Sequence, residues 1–157
     1  MSSSNAPSVT LRQLTEDEYV AWEDLNARSF AAGIGPARGI EPDAALEYAR
    51  KELDKVLPDG KDTEGQLVWM AHDGDEPVGS LWIATGPPIP FIFGIEVNEQ
   101  HRGKGYGRSI MLAGEEECRR RGYRYLDLNV FGTNSTAISL YDSLGYVVVS
   151  QQMRKEL

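Results

Sequence analysis

The sequence predicts a single α/β domain, because runs of β-branched and aromatic residues alternate with segments of helical periodicity. Its 157 residues are enough for one well-filled core and too few for two ordinary domains. We expect residues 1–8 to form a flexible tail and residues 9–157 to form the domain. The predicted order of elements is β-α-α-β-β-β-α-β-α-β.

The amino-terminal half contains a predicted strand, two helices and a hairpin of two strands, at 9–14, 15–31, 41–57, 67–71 and 78–84. Thr15 and Glu18 have the spacing of a capping box, which opens the first helix. Gly33, Gly35 and Pro36 disfavour a helix interior, so we expect this helix to end near residue 31. A proline-rich loop at 85–90 follows the hairpin, since prolines cannot sit inside a ladder.

The carboxy-terminal half contains predicted strands at 91–97, 125–130 and 146–152, with helices that end at Gly122 and Gly145. Side chains of a strand alternate between its two faces. For the strand 91–97 we expect Phe91, Phe93, Ile95 and Val97 on the core side, with Ile92, Gly94 and Glu96 on the other side. Gly94 in mid-strand indicates a bulge or a close backbone approach.

Composition and charge exclude several classes of function. A net charge of −8 and a pI near 4.8 argue against a nucleic-acid partner. No apolar run approaches the ~20 residues of a membrane span, and the polar amino terminus does not resemble a signal peptide. The single cysteine, Cys118, suits a reducing cytoplasm, and the two isolated histidines, His72 and His101, lack metal-ligand spacing. We therefore expect a cytoplasmic protein without a metal.

The charge is distributed unevenly along the chain. Residues 1–100 contain 7 Lys or Arg against 18 Asp or Glu, whereas residues 101–157 contain 9 against 6. This pattern is compatible with ordinary surface chemistry. It is equally compatible with an acidic half that receives a cationic amine and a basic half that receives an anionic cofactor.

The clearest functional signal is the segment 97–108, VNEQHRGKGYGR, which leads from a strand through a glycine-rich turn into a helix. Backbone N–H groups and the positive end of the helix dipole meet in such a turn, and glycine lets a phosphate approach closely. Arg102, Lys104 and Arg108 add positive charge. The segment therefore predicts a pyrophosphate site, although it matches neither the Walker nor the Rossmann glycine pattern.

Two motifs together resemble the GNAT (Gcn5-related N-acetyltransferase) superfamily. The first is R-x-x-G-x-G at Arg102, Gly105 and Gly107; the second runs from Asn134 through Leu140-Tyr141 to Gly145-Tyr146. The resemblance implies a central mixed, mostly antiparallel sheet with splayed fourth and fifth strands and about four flanking helices. It also implies acetyl-CoA as co-substrate, an amine as acceptor, and a monomer or homodimer as the working unit.

The resemblance assigns roles to individual residues. The cofactor-binding residues that it implies are Ile95, Val97, Arg102, Gly103, Lys104, Gly105, Tyr106, Gly107, Arg108, Asn134 and Tyr141. The backbone near Ile95 would hold the pantetheine arm and donate an N–H to the thioester oxygen. Tyr141 corresponds to the general acid of the family, which protonates the departing thiolate.

The general base is the weakest assignment. The ribosomal-protein N-acetyltransferases of this superfamily place a glutamate where this chain has Asn129, and a neutral amide cannot accept the proton. Glu96 is the predicted replacement, Asp127 is a weaker candidate, and a water chain remains an alternative. We expect direct acetyl transfer to a primary amine of a small molecule. The alternatives are a peptide or protein N-terminal or lysine acetyltransferase, and a non-catalytic CoA-binding sensor.

Overall fold

The computed structural model of the chain describes residues 6–86 and 88–157. Its elements are β1 (Thr10–Gln13), α1 (Glu16–Arg38), α2 (Pro42–Val56), β2 (Gln66–Asp73), β3 (Glu76–Ala84), β4 (Phe91–Val97), α3 (Tyr106–Arg120), β5 (Asp127–Leu128) and α4 (Ser135–Ser143). Short 3₁₀ turns lie at Gly60–Asp62 and Glu99–His101. Residues 1–5 of the predicted tail, and Pro87 of the predicted loop, lie outside the described residues.

The sheet has the strand order β1-β2-β3-β4-β5. The first four strands are antiparallel neighbours, whereas β5 is parallel to β4. β5 pairs with β4 only at Phe91↔Asp127 and Ile92↔Leu128, so the two strands part beyond Ile92. The predicted mixed, mostly antiparallel sheet with splayed fourth and fifth strands is therefore confirmed.

Helices cover both faces of the sheet. The core on the side of α1 and α2 includes Trp22 and Trp82, whose rings meet edge to face with centroids 5.3 Å apart. The core on the side of α3 includes Leu81, Ile110 and Met111, all fully buried. None of the helices in the described part of the chain combines the length and apolar character that a bilayer crossing requires.

A bulge in β4 corrects the predicted faces of this strand. Trp82 pairs with Gly94 but Ile83 pairs with Ile92, so Phe93 is the extra residue and the alternation changes phase there. Phe91 and Phe93 therefore lie on the α1 side, where Phe93 is 50% exposed and stacks on Trp82. Ile92, which was predicted on the other face, is the residue that joins the core with Ile95 and Val97. Gly94 did indicate the bulge, but strict alternation of side chains between the two faces could not predict which face each residue occupies beyond the bulge.

The first helix is longer than predicted and ends at Arg38. Gly33, Gly35 and Pro36 all lie inside it, because tertiary contacts compensate for their poor propensity. A Cβ on Gly33 would lie 2.8 Å from the Phe131 ring, and one on Gly35 would lie 3.2 Å from the Ile40 carbonyl oxygen. The helix stops at Gly39, which has the left-handed backbone conformation of a C-cap, with φ 64°.

The carboxy-terminal strands are the other correction. The predicted strand 125–130 is reduced to the two residues of β5, and residues 146–157, all of them described, form no strand. A strand requires a ladder partner, and β5 offers only two residues before the chain turns away. Val147, Val148 and Val149 are consequently 79%, 76% and 80% exposed.

Candidate active site at the splayed strands

The gap between β4 and β5 exposes backbone donors. Asn98 N donates to Val78 O at 2.9 Å, and the register continues with the pairs Ser80↔Glu96 and Trp82↔Gly94. Because bonded and non-bonded pairs alternate in an antiparallel ladder, the N–H groups of Ile95 and Val97 point away from β3. They face the side from which β5 has departed, so the gap offers two donors to a ligand.

The glycine turn beside the gap has the geometry of an anion site. Gly103 and Gly105 have φ values of 74° and 89°, which only glycine adopts easily. Gly105 is the N-cap of α3, and neither a capping side chain nor an acidic residue occupies the first turn. The first N–H groups of α3 are therefore free to bind an anion at the positive end of the helix.

The basic side chains of the turn bind protein atoms. Arg102 Nε donates to Val97 O at 3.1 Å, and Lys104 Nζ donates to Gln100 O at 3.2 Å. Arg108 Nη2 donates to Ser143 Oγ of α4 at 2.5 Å. Tyr106 points elsewhere, since its hydroxyl donates to Asp73 Oδ2 in the β2–β3 hairpin at 2.5 Å. The groups that the turn leaves available to an anion are thus backbone N–H groups, with positively charged side chains nearby.

α4 is fixed against this turn. A Cβ on Gly107 would lie 3.4 Å from Leu140 Cδ2 and 3.8 Å from Val97 Cγ2, so the glycine permits close packing of α3, α4 and β4. Asn134 is the N-cap of α4, and its Oδ1 accepts a hydrogen bond from Ala137 N at 3.1 Å. The amide nitrogen of Asn134 is the part of this side chain that the cap leaves for a ligand.

The charge of Glu96 acts on Tyr141 across the gap. Burial raises the pKa of Tyr141, and the negative charge of Glu96 raises it further. The phenol therefore keeps its proton at neutral pH, as a proton donor must. Glu96 lies on the α1 side of β4, where Ser29 Oγ donates to its Oε1 at 3.3 Å.

The residues of α1 that face β4 carry no sequence signal of their own. Asn26 lies opposite Gly94, where a Cβ would come within 3.2 Å of the Asn26 Oδ1. Ser29 contacts Glu96, and Gly33 contacts Phe131 from the loop after β5. The sequence does show that positions 26, 29 and 33 lie on one face of a helix, but their spacing does not indicate which strand that face contacts.

The weaker sequence candidates lie away from this pair. Asp127 pairs with Phe91, five residues and therefore about 16 Å along β4 from Glu96. Asn129 lines a small cavity together with Phe91. A larger cavity of about 390 Å³ lies between α3 and the carboxy-terminal segment, beside Cys118, and its lining contains neither Tyr141 nor Glu96. The unpaired strand donors, Tyr141 and Glu96 lie instead at the splay between β4 and β5.

Comparison with known proteins identifies the family. The model of the acetyltransferase (GNAT) family matches residues 20–146, which include β4, the glycine turn and α4. The chain belongs to the GNAT acetyltransferase family. It is thus an acetyl-CoA-dependent acyltransferase of a family whose acceptors are amines, as the two motifs predicted.

Individual relatives agree with this assignment. The chain is 30% identical over 153 residues to an uncharacterized N-acetyltransferase, YdgE, from Bacillus subtilis, covering 94% of this chain and 98% of the relative. The crystal structure of a putative acetyltransferase, YycN, from Bacillus subtilis superimposes with a TM-score of 0.90 at 27% identity, covering 96% and 99% of the two chains. A mycothiol acetyltransferase from Nocardiopsis dassonvillei is 29% identical over 142 residues, which are 85% of this chain and 40% of that protein.

The residues present fit the co-substrate of this GNAT protein. The turn offers free N–H groups and two positive-φ glycines to a pyrophosphate, and the β4 edge offers two N–H groups to an amide-containing arm. No group of three metal-ligating side chains in the described ranges is arranged to hold a metal ion.

Proposed function

We propose that this protein transfers the acetyl group of acetyl-CoA directly to a primary amine of a small molecule while both substrates are bound. The observation that carries the proposal is the pair of unpaired N–H groups on the β4 edge, where the charge of Glu96 acts on Tyr141 across the splayed strands. An acid on one side of the gap and a carboxylate on the other are what amine acylation requires.

The co-substrate would be held mainly by backbone. We assign the pyrophosphate to the N–H groups at 103–108 and the pantetheine arm to the β4 edge at Ile95 and Val97. Asn134 would contact the same arm from the start of α4. Acetyl-CoA supplies a thioester whose carbonyl carbon accepts a nucleophile.

The remaining chemistry falls to the side chains. The neutral amine nitrogen forms the new C–N bond as the C–S bond breaks, and it releases one proton. Tyr141 gives a proton to the departing sulfur, and the N–H of Ile95 stabilises negative charge on the carbonyl oxygen. Glu96, directly or through a water, accepts the proton from the amine, so the products are an N-acetylated amine and the free thiol.

The choice of a small-molecule acceptor rests on two observations. Asn129 stands where the ribosomal-protein N-acetyltransferases of the superfamily have a glutamate, and the relatives include mycothiol acetyltransferases. Peptide or protein acetylation and a CoA-binding sensor remain the competing functions. We also keep a single domain over residues 9–157, a cytoplasmic location and a monomeric or homodimeric state as predictions.

A free-thiol assay tests the proposal. Purified protein is mixed with acetyl-CoA and a panel of primary amines, peptides and lysine derivatives, and thiol release is followed together with product mass. We expect thiol release with small amines, and a product whose mass exceeds that of the amine by one acetyl group less the hydrogen that it replaces. Thermal stabilisation by CoA without thiol release on any acceptor would contradict the proposal and favour the sensor.

A further inference from the structure

The face of β4 that carries Glu96 also carries an exposed aromatic surface. Phe93 is 50% exposed, stacks on Trp82 with centroids 4.9 Å apart, and lies 5.1 Å from the Phe91 ring. The bulge puts both Phe93 and Glu96 on the α1 side, three residues and at most about 10 Å apart. Exposed aromatic rings next to a carboxylate are typical of a binding surface rather than of a core.

A second exposed ring, from the loop after β5, borders the same surface. We call the space between α1, this face of β4 and this loop the groove. Phe131 is 55% exposed, yet its ring edge rests against Gly33 so closely that a Cβ there would lie 2.8 Å away. A glycine in the middle of a helix costs about 1 kcal/mol relative to alanine. The ring thus occupies the space that this glycine leaves, which fixes the loop against α1.

The three contacts along α1 define the order of groups in the groove. Asn26 meets Gly94, Ser29 meets Glu96, and Gly33 meets Phe131. At 1.5 Å per residue these positions span about 10.5 Å of the helix. The carboxylate of Glu96 therefore lies between two aromatic rings, Phe93 on one side and Phe131 on the other.

The charge of the groove suits a single ammonium group. On the neighbouring surface of α1, Asp24 is paired with both Arg28 and Arg50, and Glu23 accepts a hydrogen bond from the Tyr19 hydroxyl. Among the described residues of α1 and β4, Glu96 is the carboxylate that faces this groove without a basic partner. A polyamine would find no second unpaired carboxylate for its further charges on the neighbouring surface of α1, where Asp24 and Glu23 already have partners.

We infer that the acceptor is a primary monoamine with an aromatic or similarly bulky apolar group two or three bonds from its nitrogen. The nitrogen would lie at Glu96 and Asn26, and the apolar group would contact Phe93 or Phe131. This inference rests on the proposed function, whose reaction it leaves unchanged. It assigns specificity to Phe93, Phe131 and Gly33, residues that the family motifs do not include.

The test compares three amines with the full-length protein and acetyl-CoA: 2-phenylethylamine, ethanolamine and spermidine. We expect kcat/KM for 2-phenylethylamine to exceed the other two values at least tenfold. Phe93→Ala and Phe131→Ala should each lower that value about tenfold, the magnitude of one lost aromatic contact, and change the value for ethanolamine less than twofold. Tyr125→Ala, which removes a comparably exposed ring outside the groove, is the matched control and should change neither value.

Equal kcat/KM for the three amines, or a preference for spermidine, would overturn the inference and leave the acetyltransferase assignment intact. Retention of full 2-phenylethylamine turnover in both Phe93→Ala and Phe131→Ala would overturn it as well. If no amine in the panel releases thiol although CoA raises the Tm, the proposed function itself fails, and the inference falls with it. The two failures are thus distinguishable.

Discussion

The two proposed substrate-binding regions of this molecule are built differently. The cofactor region is one continuous segment, from the end of β4 through the glycine turn into α3, and it presents backbone N–H groups. The acceptor region is assembled from α1, β4 and the loop after β5, and it presents side chains. The first can be recognised by residue spacing and the second cannot. An acceptor region of this kind can change its specificity while the cofactor region stays constant.

The largest expected effect comes from Tyr141, the proposed proton donor. Tyr141→Phe should lower kcat about 10²-fold or more with little change in CoA affinity, because only the proton donor is lost. Burial and the charge of Glu96 raise the pKa of Tyr141 above its ordinary value of 10. The phenol should therefore stay protonated, and wild-type turnover should not fall through loss of this proton, until the pH exceeds about 10. Single-turnover rates and calorimetric CoA titrations measure the two quantities; unchanged turnover would remove Tyr141 from the mechanism.

A change in the glycine turn should damage the cofactor region alone. Gly105→Val forces a β-branched residue to φ 89° and brings its Cβ to 3.3 Å from Pro7, so CoA affinity should fall about 10- to 100-fold. Gly74→Val in the hairpin loop is the matched control, since Gly74 has φ 59° with open space around it. The control should lose comparable stability but bind CoA normally. Equal loss of CoA affinity in both variants would contradict a local role.

Glu96→Gln tests the acceptor region at its charged centre. The amide can still accept the hydrogen bond from Ser29 but cannot take a proton, so kcat/KM for the amine should fall about tenfold or more. The pH–rate profile should also lose its dependence on a carboxylate. Glu23→Gln on α1 is the control. A profile identical to that of the wild type would assign proton removal to water and limit Glu96 to binding.

A smaller effect should separate stability from specificity. Gly33→Ala removes a helix-interior glycine, so stability should stay constant or rise by up to about 1 kcal/mol, while the Phe131 ring must shift from its seat. The kcat/KM for an arylalkylamine should then fall several-fold. Gly35→Ala, two residues further along and facing Ile40, is the control that leaves Phe131 in place. Loss of stability with unchanged kinetics would contradict this role of Gly33.

The smallest expected effect is a pH dependence of stability, which we expect at the start of α1 but not at the start of α3. A hydrogen bond from Arg12, with a second from the Thr15 backbone N–H, lowers the pKa of Glu18 to about 2. This stabilisation of the start of α1 is present above about pH 4.5 and is lost as pH falls toward 2. The pair is largely solvated, so its contribution to the free energy of unfolding is small.

Denaturant unfolding of the wild type and Glu18→Gln at pH 7 and pH 3 measures this contribution. The wild type should be the more stable protein at pH 7, and the difference should shrink at pH 3. The α3 start begins at a glycine without an acidic cap and should contribute no such dependence. A difference that grows on acidification would contradict the assignment.

The sequence predicted the frame of the fold well, and its errors have physical causes. The segment from β4 to α3 was correctly bounded, because a run of β-branched and aromatic residues, the glycines of the turn and acid-first ion pairs such as Glu115–Arg119 agree there. α1 was cut short because contacts at Gly33 and Gly35 are tertiary and invisible to local propensity. The carboxy-terminal strand was wrong because three valines indicate a strand but do not supply a ladder partner.

The candidate site divides in the same way. The turn and Tyr141 follow from spacing that the family shares, whereas Phe93 was assigned to the wrong face because the position of the bulge depends on the pairing with β3. Ser29 and Phe131 lie 67 and 35 residues from Glu96 in sequence and meet the groove only through the fold. No periodicity within one element could have joined them.

Titration of the purified protein with acetyl-CoA in a calorimeter tests the central claim most directly. Backbone donors at 95–108 predict saturable binding to one site per chain, with heat that weakens as salt rises because the ligand carries phosphate charge. Protein that is folded by circular dichroism yet gives no heat and no rise in Tm with acetyl-CoA would contradict the account.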